Sequence, residues 1–207
     1  MGKIYCIMGK SASGKDTVFR RLLADPEYEF ATIVPYTTRP MRAGESDGVE
    51  YYFCSERRLE EFIASGKVIE QRAYDTVYGV WKYFTVDDHQ IDLNRRNYLI
   101  IGTPESYCRI RNYFGKENVL PIYIEVEDGL RLFRALERER REQVPGYEEM
   151  CRRFLSDAQD FSREKLAEAG ITERFENLEL ERTLAEIRNY IRSKEAEEVQ
   201  SGERADP

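Results

Sequence analysis

Gly9-Lys10-Ser11-Ala12-Ser13-Gly14-Lys15 lies between an apolar run, Lys3-Ile-Tyr-Cys-Ile-Met8, and a stretch that carries Val18, Leu22 and Leu23 at helical spacing. The order is therefore strand, tight loop, helix. Glycines let the loop backbone curl until successive amide N–H groups point into one concavity, and the helix amino end adds partial positive charge there. Such a concavity suits phosphate oxygens, and Lys15 is placed to reach the terminal ones of a polyphosphate.

Outward from this loop, Asn97-Tyr-Leu-Ile-Ile-Gly102 and Val119-Leu-Pro-Ile-Tyr-Ile-Glu-Val126 are further apolar runs bounded by helical patterns. Parallel strands joined by crossover helices produce that texture. The fold class expected is α/β, a P-loop parallel-sheet core formed by residues 1–34, 88–127 and 170–199. Between 35 and 87 the texture changes to short strands around the helix-like Ser55 to Ser65, so an inserted small lobe of mixed strands is expected. From Asp128 to about Arg141 the pattern is helical and rich in Arg and Glu. Gln143-Val-Pro-Gly146 breaks it, and a second helix is predicted from Tyr147 to about Ala169. This hairpin, 128–169, reads either as a solvated face held by ion pairs such as Glu137 with Arg141 or as a working part. Ile171 to Asn177 is a candidate last strand and Glu181 to Val199 a last helix, with 200–207 expected to be disordered.

The chain has 207 residues, 41% of them hydrophobic and 12% aromatic, enough for one core with a lobe and a mobile cap. No apolar run approaches the ~18 residues of a membrane span. The opening Met-Gly-Lys-Ile-Tyr-Cys-Ile lacks the layout of a signal peptide, so no membrane association and a cytoplasmic location are expected. Cys6, Cys54, Cys108 and Cys151 are too widely spaced for a zinc ribbon and read as buried thiols. A single histidine, His89, on a predicted helix argues against histidine-based catalysis or multi-histidine metal sites. The net charge of −7 argues against a nonspecific DNA or RNA coat, although local basic clusters can still hold phosphate.

The phosphate loop departs from its usual form after Lys15. Ser or Thr ordinarily follows, to hold Mg²⁺ through a hydroxyl; here Asp16 follows and the hydroxyl arrives at Thr17. A carboxylate beside a polyphosphate is repelled unless a cation lies between. Asp16 is either turned outward as an acid at the helix start or recruited to the metal. The apolar run ending at Gly102 has no acid of its own, which favours recruitment.

Several separate motifs resemble the guanylate kinase family, nearly end to end. Thr37-Thr-Arg39-Pro-Met-Arg42-Ala-Gly-Glu45 is similar to the family's T-T-R-x-x-R-x-G-E stretch, and Gly48-x-x-Tyr51-x-Phe53 follows at the family's distance. The resemblance implies that Arg39, Arg42 and Tyr51 grip the phosphate of a nucleoside monophosphate, as guanidinium forks and a phenol can. It implies that Glu70 accepts hydrogen bonds from the guanine edge and that Tyr78, one residue closer than usual, adds a second phenol to the phosphate. Arg134, Arg138 and Arg153 resemble the lid arginines, and Asn177 the residue near the donor nucleoside. Gly9, Lys10, Ser11, Ala12, Ser13, Gly14, Lys15, Asp16, Thr17 and Asn177 would then hold ATP with Mg²⁺ as cofactor. Lys15, Arg39, Arg134, Arg138 and Arg153 would serve catalysis.

Departures cluster on the base. Pro35 stands where the family has a Ser, Val80 where it has another, and Gly102 where it has Asp. Tyr74, Asp75 and Trp81 are near enough in sequence to substitute. The activity implied is transfer of the γ-phosphoryl of ATP to a nucleoside monophosphate, with GMP the first candidate. The alternatives are a related kinase with another acceptor, such as another nucleotide or a ribose bisphosphate, and a non-catalytic binding module of the same fold.

Overall fold

The computed structural model describes residues 1–42 and 44–203, with side chains as far as 197. In chain order the elements are β1 (Ile4–Met8), α1 (Lys15–Leu23), β2 (Ala31–Thr32), β3 (Tyr36–Thr37), β4 (Tyr52–Phe53), α2 (Glu56–Ala64), β5 (Val68–Thr76) and β6 (Gly79–Val86). They continue with β7 (Tyr98–Gly102), α3 (Pro104–Phe114), β8 (Val119–Glu125), α4 (Asp128–Glu139), α5 (Tyr147–Asp160), α6 (Arg163–Glu168), β9 (Arg174–Glu176) and α7 (Leu180–Glu203).

Five strands form a parallel sheet in the order β2-β7-β1-β8-β9. Strand β1 is central: Met8 pairs with Gly102 on one side and Tyr123 on the other. Because side chains alternate across a strand, Ile4, Cys6 and Met8 pack on one face with Tyr107, Ile110 and Phe161. Tyr5 and Ile7 pack on the other with Val18, Leu22 and the α7 stripe Leu184, Ile187 and Ile191. Both faces are covered, which is why β1 reads as an unbroken apolar run. In such sheets the carboxyl ends of the strands border the ligand crevice, and that is where the 9–14 loop lies.

The second sheet, β4-β3-β6-β5, comes from the inserted stretch, with β3–β4 parallel and the β3–β6 and β5–β6 pairs antiparallel. It covers α2 through its own small core of Leu59, Phe62, Phe84 and Val86. The mixed α/β architecture expected from the sequence is present.

Some local expectations need correction. His89 lies on no helix; it sits in a bend with φ 72°, in the loop that joins β6 to β7. The helix predicted from Tyr147 to Ala169 is two. Phe161 turns inward to stack on Tyr123, and Ser162 caps a new helix by accepting from the Lys165 amide. Glu137 pairs with Arg140 rather than Arg141. Of the four cysteines, Cys6 is buried, Cys54 and Cys108 are half-buried and Cys151 is exposed. The last helix runs to Glu203, so 200–203 are helical, and positions 204–207 of the expected tail lie outside the described residues. Among the described residues no helix is long and apolar enough to cross a membrane.

Candidate active site

The loop after β1 is held tightly from below. A β-carbon at Gly9 would sit 2.6 Å from Ser13 Oγ and 2.8 Å from the Ile124 carbonyl oxygen, so only glycine fits. Gly14 caps α1 at φ 86°, and a β-carbon there would collide with Asn177 Nδ2. That Asn177 amide, at the end of β9, donates to the Ser13 carbonyl at 2.8 Å and ties the last strand to the loop. Ala12 takes φ 62°, a left-handed conformation that costs a residue with a β-carbon roughly 1 kcal/mol or more. Ser13 Oγ is buried with no hydrogen-bond partner.

Helices α4 and α5 close over the loop. The Ser11 amide donates to Asp157 Oδ2 at 2.7 Å, and Lys10 Nζ donates to Asp128 at 3.0 Å. Arg131, its side chain only 1% exposed, donates to the Ser11 carbonyl at 2.8 Å and to Asp128 at 2.7 Å, and lies 3.6 Å from Asp157. Arg134 donates to the Asn177 carbonyl at 3.2 Å. Neither Arg131 nor Asp157 stood out in the sequence, where both merge into a charged helical pattern.

Asp16 projects outward at the first turn of α1, with one oxygen 3.3 Å from Lys15 Nζ. Partial desolvation opposes its charge, but the Lys15 ammonium outweighs this and holds the carboxyl below its usual range. Asp16 borders a hollow with Arg42, Tyr78, Arg138 and Arg153. Among the described residues no three His, Cys, Asp or Glu side chains cluster as a metal cage. A Mg²⁺ here would draw on Asp16, the Thr17 hydroxyl, substrate phosphates and water. That is the donor set Mg²⁺ commonly uses, so these residues fit it.

Across the cleft, Arg39 is buried and forks onto Glu45 at 2.6 and 2.7 Å. Its guanidinium lies 5.0 Å from the Tyr51 ring and 5.3 Å from that of Phe53. Hydrogen bonding to Arg39 holds the Glu45 carboxyl below the usual carboxylate range. Arg42 lies 5.7 Å from the Trp81 ring and donates its backbone N–H to Glu45. Lys15, Arg39, Arg42, Tyr51 and Arg153 border one cleft, and Gly9, Ser11, Arg72, Tyr74, Trp81, Thr103 and Arg152 border it too.

Two residues are not where the sequence motifs suggested. Tyr78 occupies the β5–β6 hairpin turn, 68% exposed and stacked on Trp81, on the rim with Arg42 rather than beside Tyr51. Thr76 pairs with Gly79, so Val77 and Tyr78 form a tight two-residue turn at the tip of the hairpin. Glu70 is buried and paired with Arg72, a residue the motif reading passed over. Of the substitutes weighed, Tyr74 and Trp81 border the cleft.

The guanylate kinase of Symbiobacterium thermophilum is 31% identical to this chain over 216 residues, spanning 97% of this chain and 90% of that protein. The chain belongs to the guanylate kinase family. The family model described as guanylate kinase matches residues 1–97, which include the loop and the whole of the inserted lobe. The guanylate kinase of Streptococcus mutans serotype c is 38% identical over 73 residues, 35% of either chain. A solved guanylate kinase from Anaplasma phagocytophilum shares the fold at a TM-score of 0.63 and 18% identity, covering 93% of this chain and 86% of that one. Guanylate kinase membership makes the chain one of the nucleoside monophosphate kinases.

Proposed function

We propose that the chain transfers the γ-phosphoryl group of ATP to the phosphate of GMP. The observation that carries this reading is a single cleft that brings Lys15 and the loop amides opposite Arg39, Arg42 and Tyr51. One side suits a triphosphate and the other a phosphate dianion, as in-line transfer between two anions requires. The acceptor phosphate is already an anionic nucleophile, so no general base is needed. The protein's task is alignment and charge stabilisation.

In this reading the 9–14 loop and Lys15 hold the donor phosphates, and Asn177 props the loop from behind. Arg39, preset by Glu45, and Arg42 and Tyr51 orient the acceptor phosphate. Arg138 and Arg153 bring positive charge from α4 and α5, while Arg134 fixes α4 against Asn177. Bound Mg²⁺, held by Asp16 and Thr17, would neutralise charge on the donor phosphates. Segments 35–87 and 128–169 serve as acceptor lobe and lid over the core, and closure excludes the water that would hydrolyse ATP. Both substrates are small phosphorylated metabolites, and the compartment this reading assigns is the cytoplasm.

Coupled measurement of ADP release, with ATP, Mg²⁺ and a panel of GMP, dGMP, AMP, CMP, UMP and ribose 1,5-bisphosphate, tests it. GMP-dependent turnover that falls at least ~100-fold in Lys15→Ala is expected. ADP release with no acceptor dependence would refute transfer.

A further inference from the structure

We propose that Arg72, rather than Glu70, reads the acceptor base, selecting a 6-oxopurine through O6 and N7 while leaving the 2-amino group unread. This rests on the phosphotransfer reading above and names the group that base selection uses.

Glu70 and Arg72 are two apart on β5 and share a face of the strand. Arg72 Nε donates to Glu70 Oε2 at 2.9 Å and Arg72 Nη2 to Oε1 at 3.3 Å. Thr85 Oγ1 donates to the same Oε1 at 2.8 Å. Three hydrogens thus occupy a carboxylate that accepts about four, which leaves too few positions for a two-donor edge, and the Glu70 side chain is 1% exposed. For a guanine N1–H and N2–H edge to bind Glu70, a buried two-point ion pair would have to open. Such a pair leaves an uncompensated charge when broken, so it is a poor element to open on each turnover.

Arg72, by contrast, borders the cleft together with Thr103, whose hydroxyl accepts from Nη1 at 3.4 Å. A guanidinium carries five N–H donors. Glu70 takes up Nε and one hydrogen of Nη2, and Thr103 takes one of Nη1, which leaves one hydrogen on each terminal nitrogen for a ligand. Burial opposes the Arg72 charge, but Glu70 overrides it and keeps the group cationic. Pro35, Ile101 and Gly102 border the same cleft and offer no side-chain donor. Since Lys15, Arg39, Arg42 and Arg153 are assigned to phosphate and Arg152 forks onto Glu149 at 2.7 and 2.8 Å, Arg72 is the cleft cation left for the base. A forked guanidinium matches the two adjacent acceptors O6 and N7 of guanine, and meets a donor instead at the 6-amino group of adenine.

Hypoxanthine has the same O6 and N7 as guanine and lacks the 2-amino group. For the full-length protein with ATP and Mg²⁺, kcat/KM for IMP should lie within about threefold of that for GMP, with AMP at least ~100-fold lower. Arg72→Lys keeps the charge against Glu70 but loses the fork, and should raise KM for GMP and IMP alike by about tenfold with kcat little changed. Arg72→Ala combined with Glu70→Gln leaves no unpaired buried charge and should give the same parallel rise if the lysine variant proves unfolded by near-UV circular dichroism. IMP ~100-fold poorer than GMP, KM for GMP unmoved in a folded variant, or AMP preferred to GMP would each overturn the proposal. Protein that binds ATP but turns over no nucleotide would instead overturn the phosphotransfer reading, and this inference with it.

Discussion

Lys15 and Asp16 set opposite charges 3.3 Å apart at the start of α1, the position where a donor's terminal phosphates are proposed to lie. The pair explains how a carboxylate can follow the loop lysine without repelling the substrate: Lys15 offsets it until a cation arrives. Asp16→Asn should therefore raise the Mg²⁺ concentration needed for half-maximal rate several-fold, and an unchanged Mg²⁺ titration would show that Asp16 merely faces solvent. Glu45 illustrates a different residue-level effect. Its carboxyl is held low in the folded state by Arg39, so the stability it contributes is complete above its unfolded value of about 4.3 and is lost as pH falls through the lower folded value. Thermal melts from pH 6 to pH 3 should show wild type losing stability below about pH 4.5. Glu45→Gln should be less stable at pH 6 and decline less steeply. The TTR stretch made Arg39 and Glu45 legible in the sequence. Arg72 was not legible, because its role depends on which strand neighbour buries Glu70, and no spacing rule reports that.

At the scale of elements, the strand-loop-helix unit was readable because every local demand agrees: an apolar strand, glycines where no β-carbon fits, and a helix that begins at the lysine. The hairpin of β5 and β6 was harder to see. Its residues Arg72, Tyr74, Thr76, Trp81 and Tyr83 border the cleft, so polar and aromatic side chains replace the clean alternation of a half-buried strand. The charged helices α4 and α5 misled in the opposite way. Arg131 reads as part of a solvated face and is almost fully buried, because its partners come from the 9–14 loop as well as from its own helix. Arg153 on α5 borders both the main cleft and the hollow beside Asp16. Arg153→Ala should lower kcat on the order of 100-fold, about 3 kcal/mol of barrier, with the melting temperature little changed. Turnover equal to wild type would return α5 to the role of a solvated helix.

Taken whole, the molecule places two sheets and a helical flap around one crevice. The parallel core was legible from its buried runs, whereas the arrangement of flap on loop depends on contacts between residues more than a hundred positions apart. The Ser11 amide and Asp157, 2.7 Å apart, are the tightest of these. An amide that meets a carboxylate cannot at the same time meet a phosphate oxygen. Calorimetric titration of ATP into Asp157→Asn should consequently give a dissociation constant about fivefold lower than wild type, since one competitor for the loop has been weakened. Equal affinities would mean that the contact never competes. Asp157 thus sets a built-in anion against the loop: a lone sulfate or orthophosphate competes with it for the Ser11 donor, whereas a guest with several linked anionic groups meets many donors at once.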